Sequence, residues 1–306
     1  MIDRHNLSKL GIGAWGIGGF VEKDPKNNDT KQIKALACQF EKGMNLTEIN
    51  FWNSQGYSVQ LIKQALDKSG VKRENVFIVQ IIYDYYNETL DDVRKEFELC
   101  LETFEIEYVD SIEFPLTAFE KYGFKKLIEL VEKCLSDGKA RYTSVTNFNL
   151  DHLKKYHQIF KDKLFSHELH YSFEIRENED LGILDYGLEN NIINVPYQSL
   201  RRNRTAKRNW PLLKELSEKY DKTQNQIILN WMTARGFHPL VKSETLAHID
   251  ENLAALKFTM DKDDLKKLTN FRVPGYKTPE IDWFMKGQKG VFIHALPNIF
   301  DENYPS

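Results

Sequence analysis

Glu48, Asn53, Glu113 and Glu168 each stand at or just past the C-terminal end of a strand-like run, and in a closed barrel such ends share one mouth, which predicts that the four converge. Carboxyls brought together repel when ionised, so at least one should hold its proton to higher pH or find a cation. A carboxyl tuned in that way is equipped for general acid–base work. The competing reading is structural: Glu113 paired with a nearby Lys or Arg, and Glu48 idle. A second feature is the run Arg201-Arg202-Asn203-Arg204-Thr205-Ala206-Lys207-Arg208, five cations in eight residues. It suits an anionic ligand and equally suits a solvated charged face. Tyr83, Tyr85 and Tyr86 read as an aromatic loop wall. Cys38, Cys100 and Cys134 have neither metal-ligand nor disulfide spacing, which predicts buried inert thiols and no metal site.

The elements that must position these residues alternate along the whole chain. Strand-like runs fall at residues 10–15, 46–49, 76–82, 108–114, 141–145, 165–169, 192–197 and 239–241. Helical patterns separate them at 30–42, 58–68 (with Ser58 as N-cap), 90–104, 124–137, 150–160, 179–190, 212–220, 224–235 and 248–255. Eight strands alternating with helices mean a closed parallel barrel or a doubly wound sheet. The chain has 306 residues, 41% of them hydrophobic, which one barrel domain accommodates. The net charge of −3 offers nucleic acid nothing. No apolar run approaches the ~18 residues of a membrane helix. Met1-Ile2-Asp3-Arg4-His5 has no apolar signal region, so the expected location is cytoplasmic. Beyond the barrel core, at about 7–270, the tail 271–306 carries Trp283, Phe284, Phe292, Phe300 and Tyr304. Such a tail caps a barrel mouth or packs on a partner subunit, giving an oligomer.

Several stretches, in order, resemble the aldo-keto reductase family. Leu10-Gly11-Ile12-Gly13-Ala14-Trp15-Gly16-Ile17-Gly18-Gly19 is similar to its opening LGLGTW…GG. Asp137-Gly138-Lys139-Ala140-Arg141-Tyr142-Thr143-Ser144-Val145-Thr146-Asn147-Phe148 resembles GKIRYIGVSNF, and His167-Glu168-Leu169-His170-Tyr171-Ser172 resembles NQVEYN. Val195-Pro196-Tyr197-Gln198-Ser199-Leu200 resembles IAYSPL. Val241-Lys242-Ser243 with His248-Ile249-Asp250-Glu251-Asn252 resembles IPKS….RIxEN. The resemblance implies a single (β/α)8 barrel rather than the doubly wound sheet.

It also implies a reaction that this chain is not equipped to run. The family reduces carbonyls with NADPH, using a Tyr as proton donor, a Lys paired with an Asp to lower its pKa, and a His to orient the substrate. In Gly43-Met44-Asn45-Leu46-Thr47-Glu48-Ile49-Asn50-Phe51-Trp52-Asn53-Ser54 the Asp position holds Glu48 and the Tyr position Asn53. Ile81 stands at the Lys position, and either Pro115 or Glu113 at the His position, according to the register. An amide delivers no proton at neutral pH, and an isoleucine perturbs no phenol. Ordinary aldehyde or ketone reduction is therefore not expected. Glu48, Asn53 and Glu113 are the candidates for a replacement chemistry, with Tyr57, four residues past the lost Tyr, as a second acid or simply a helix start.

The implied cofactor pocket is better kept. Thr146, Asn147 and Glu168 match the residues that hold the nicotinamide carboxamide, and Tyr197 the aromatic that stacks on its ring. Lys242 and Ser243 match the 2′-phosphate site, Asn252 an adenine contact, and His248 stands where an Arg normally stacks. Gly13 and Trp15 complete the set, and the 201–208 loop would cover the pyrophosphate. NADP(H) is the implied cofactor. The expected function is a repurposed enzyme on a small anionic substrate, such as a phosphorylated sugar or sugar nucleotide. The alternative is a non-catalytic NADP(H)-binding regulatory or partner-binding protein, a pseudoenzyme.

Overall fold

The computed structural model describes residues 2–274, and the aromatic tail positions from Trp283 onward lie outside the described residues. Eight strands run parallel: β1 (Gly11–Ile12), β2 (Leu46–Ile49), β3 (Phe77–Ile81), β4 (Val109–Pro115), β5 (Ala140–Thr146), β6 (Leu164–His170), β7 (Ile193–Tyr197) and β8 (Leu240–Val241). Their order is β7-β6-β5-β4-β3-β2-β1-β8. The His238 N–H donates to the Asn194 carbonyl of β7 at 3.0 Å, which brings the last strand back toward the seventh. The fold is the expected (β/α)8 barrel. No described helix is long and apolar enough to cross a membrane.

The helices are α1 (Asp29–Glu41), α2 (Tyr57–Ser69), α3 (Leu90–Phe104), α4 (Leu116–Tyr122), α5 (Phe124–Ser136), α6 (Leu150–Phe160), α7 (Glu177–Asp180), α8 (Ile183–Glu189), α9 (Arg204–Arg208), α10 (Pro211–Tyr220), α11 (Gln224–Ala234), α12 (Leu246–Ala254) and α13 (Lys262–Asn270). Three details depart from the sequence expectation. Ser58 does not cap α2: Gly56, in the left-handed region, precedes the helix, and the Ser58 hydroxyl donates back to the Asn53 carbonyl at 3.0 Å. The helix expected over 179–190 is broken into α7 and α8 at Gly182, whose φ of +72° lies in the left-handed region that favours glycine. Cys38 is half-buried, whereas Cys100 and Cys134 are buried.

Inside the barrel, Leu46, Phe77, Val79, Phe165, Val195 and Leu240 pack with Ile2 and Leu7 of the N-terminal segment. Phe77 and Phe165 stack at 4.1 Å. Arg4 donates to the Leu164 carbonyl at 2.7 Å, and Arg141 to the Ile2 carbonyl at 3.0 Å. The N-terminal segment thus seals the end of the barrel where the strands begin. Gly11 suits this packing, since a Cβ there would lie 2.6 Å from Leu240 Cδ2 and 2.9 Å from Leu46 Cδ2 and would force those leucines to shift. Above the apolar plug the interior turns polar. The Ser111, Ser144 and Ser166 hydroxyls form a buried chain with 2.7 Å links.

Candidate active site

Toward the mouth the barrel carries a layer of carboxyls. Glu48 comes from β2, Glu113 from β4 and Glu168 from β6. These are alternate strands, which in such a barrel point their side chains into one layer. All three are buried. Burial pushes the Glu48 carboxyl up to about 7 against the pull of the Ala14 backbone N–H. Burial likewise raises Glu113 to about 8; its hydrogen bond from the Thr146 hydroxyl opposes the shift and the Glu48 charge adds to it. Glu168 lies well above the usual carboxylate range, through burial and then through Glu48 and Glu113. Among the described residues no ion pair reaches any of the three, and no group of three His, Cys, Asp or Glu residues is arranged to hold a metal. Of the alternatives open at sequence level, no cationic partner stands beside the layer among the described residues, and burial, with repulsion added at Glu113 and Glu168, shifts the carboxyls upward.

The layer has a consequence for stability. Glu48, Glu113, Glu168 and the separate buried Glu96, raised to about 8, keep protons in the folded chain that an unfolded carboxyl loses near pH ~4.3. Their favourable share of stability is complete at low pH and declines as pH rises through the folded values. His167 and His170 act in the opposite sense: burial lowers both to about 3, so their share is complete above the unfolded value of ~6.5 and is lost as pH falls. From about pH 6.5 to 8 only the carboxyls still change. Urea unfolding across that window is expected to show a loss on the order of a few kcal/mol, reduced in Glu113→Gln. Equal or greater stability at the upper end would contradict the ionisation assigned to the layer.

Over the carboxyl layer opens a cavity of about 860 Å³. Gly13, Trp15, Thr146, Asn147, Glu168, Tyr197, Lys242, Ser243, His248 and Asn252, which the resemblance assigned to a nucleotide, lie on its wall, and the 201–208 loop contributes Arg201, Arg202, Asn203 and Ala206. Tyr197 donates to Asn147 Oδ1 at 3.1 Å and stacks on His170 at 5.3 Å. Lys242 Nζ is held by the Gly16 carbonyl at 2.8 Å and by Glu244 at 2.9 Å, and Asn252 donates to the Ser243 hydroxyl at 2.9 Å.

The catalytic candidates separate. Glu48 is on the cavity wall, and Glu113 lies behind Thr146, across from Ile81 on the neighbouring strand. Asn53 is not on the wall. It is buried in the turn before α2, where its N–H donates to Asn50 Oδ1 at 3.0 Å and its own Oδ1 has no partner. Pro115 ends β4 on the same face as Glu113, two residues nearer the rim. Tyr57 is drawn away as well: it begins α2 and donates to Asp29, and that hydrogen bond raises its phenol against the opposing pull of Lys23, whose Nζ lies 3.6 Å over the ring.

Tyr83 and Tyr85 form the aromatic wall expected just past β3, on the cavity over the carboxyl layer, and burial and then Glu48 hold the Tyr83 phenol well above the ordinary value. Sequence reading passed over Glu174. Buried in the loop after β6, it accepts from Arg201, from Thr205 at 3.2 Å, from Arg208 at 3.4 Å and from the Trp210 indole at 2.6 Å. Two of the five cations of the 201–208 run are therefore committed to this internal anchor. Neither of the two sequence readings of that run foresaw it.

The sequence model described as the aldo/keto reductase family matches residues 9–272. The chain belongs to that family. It is similar to a glyoxal reductase of Bacillus subtilis (strain 168), 24% identical over 254 residues that cover 83% of this chain and 87% of the relative. The solved structure of a thermostable aldo-keto reductase in complex with the inhibitor epalrestat superposes with a TM-score of 0.76 at 25% identity, over 86% of this chain and 94% of the other. A Klebsiella pneumoniae aldo/keto reductase solved with NADP and acetate has the same fold, with a TM-score of 0.73 at 17% identity over 86% and 90% of the two chains. Within this aldo/keto reductase barrel, the open end of the strands carries both the cavity and the carboxyl layer.

Proposed function

We propose that this aldo/keto reductase family member binds NADP(H) at the barrel mouth and works there with the carboxyl of Glu48, backed by Glu113, in place of the family's phenol. The observation that carries the reading is Glu48 itself: a buried carboxyl on the cavity wall, raised to about 7, with no cationic partner among the described residues. Such a group both donates and accepts a proton near neutral pH. The wall suits the nucleotide. Lys242 and Ser243 offer a cation and a hydroxyl to a phosphate, Tyr197 offers a ring face, and Arg201 Nη2 is a buried N–H on the same wall without a hydrogen-bond partner. The bound nicotinamide would supply hydride transfer. Thr146 and Asn147 orient the carboxamide and Glu48 moves a proton at a substrate oxygen. Arg202 at the rim, stacked 5.1 Å over Phe20, favours a substrate with an anionic group.

A second reading, a non-catalytic NADP(H)-binding regulatory protein, is favoured by Asn53, which leaves the position of the family's donor empty of any acid and turned from the cavity. Calorimetric titration with NADP(H) tests the part common to both readings. Lys242→Ala is expected to weaken the nucleotide by about 1–3 kcal/mol, the worth of a charge-assisted hydrogen bond. An unchanged affinity would remove Lys242 from the site. The two readings then part on phosphorylated alcohols and carbonyls: turnover lost in Glu48→Gln supports the enzyme, and binding without turnover supports the regulator.

A further inference from the structure

We infer that the mouth discriminates between the redox forms of the nucleotide, holding the cationic oxidised nicotinamide ring over the carboxyl layer and the uncharged reduced ring less tightly. The inference rests on the nucleotide reading above and deepens it.

The cavity is electrically divided. Its floor has Glu48 and Glu168 on the wall and Glu113 behind Thr146. The other titratable groups that face this layer are neutral in the folded chain. Tyr83 and Tyr85 are held protonated over it, Tyr156 lies behind Glu113, and His170 is kept uncharged by burial and by Arg201. The cations stand elsewhere. Lys242 is at the rim against Glu244, and Arg201 is on Glu174, with its Nη2 buried and unpartnered on the cavity wall. Phosphates placed at that rim are common to both redox forms and cancel in their comparison. What differs is one positive charge on the ring, and the ring is the part that Tyr197, Asn147 and Thr146 would seat beside the floor. A cation there supplies the counter-charge that the carboxyls lack, in surroundings where Coulomb attraction is only weakly screened. The carboxyls then ionise more readily, so binding of the oxidised form releases protons, and its advantage grows as pH rises.

The test is calorimetric titration of the full chain with NADP+ and with NADPH at about pH 6.5 and about pH 8.5, reading the ratio of the two dissociation constants. At the higher pH NADP+ is expected to bind at least about tenfold more tightly, with the ratio shrinking toward the lower pH. Glu168→Gln is expected to lower the ratio, leaving only what the Glu48 carboxylate still contributes. Glu113→Gln, which does not line the cavity, should lower the ratio partway and serves if Glu168→Gln fails to fold. Equal constants, tighter NADPH, or a ratio indifferent to pH and to both substitutions would overturn the inference while leaving the nucleotide site standing. Failure of either form to bind would instead overturn the reading beneath it.

Discussion

Simple aldehydes offered with NADPH are expected to be turned over at least about 10²–10⁴-fold more slowly than by an aldo/keto reductase with a working proton donor, the usual worth of general acid catalysis. The phenol at hand, Tyr83, has its pKa pushed up by burial and by the carboxyls beneath it, the reverse of what a donor needs. Asn53 is buried away from the cavity wall. Ile81 is fully buried and carries no charge to tune either residue. On the cavity floor the acids that remain are Glu168 and Glu48, the proposed donor, and Glu48 holds its proton only up to about 7. Any residual reduction should therefore rise as pH falls through neutrality and vanish in Glu48→Gln. Steady NADPH consumption at pH 8 with a simple aldehyde, insensitive to that substitution, would show that a different group donates the proton.

Removal of the Glu174 carboxyl is expected to be the most destabilising single change near the site. Glu174→Ala leaves the Arg201 guanidinium, itself 3% exposed, without its counter-charge, and strands the Trp210 indole N–H and the Thr205 hydroxyl. Breaking a buried ion pair from one side costs about 3–5 kcal/mol. Denaturant unfolding should show that loss, and Glu174→Gln should recover part of it by keeping the hydrogen bonds without the charge. A loss under about 1 kcal/mol would mean that Arg201 escapes to solvent when released. The loop over the cavity would then not be anchored as described.

Strand positions were legible because buried parallel strands read as apolar runs, and β2 was bounded to the residue. The two-residue β1 and β8 were overestimated, since backbone pairing ends where the glycine-rich turn and Lys242 begin. Three helices carried no usable period. Helix α4 follows β4 directly and is only seven residues long, α9 has five, and the nine-residue α13 buries only Asp264 and Leu268. Convergence of Glu48, Glu113 and Glu168 was legible because strand ends in a barrel share one mouth, but Asn53, expected with them, is held in the turn before α2 instead. The anchor on Glu174 was not. It joins residues 27 to 36 positions apart, through a loop conformation that no local pattern encodes.

The end closed by Ile2, Leu7 and Arg4 makes the barrel, among the described residues, a well that opens at the cavity. Glu48, Glu168, Lys242 and Arg202 share that cavity's wall. A ligand anchored at the rim is then expected to slow exchange of whatever sits beneath it, so residence time on the floor should respond to changes at Lys242 and Arg202.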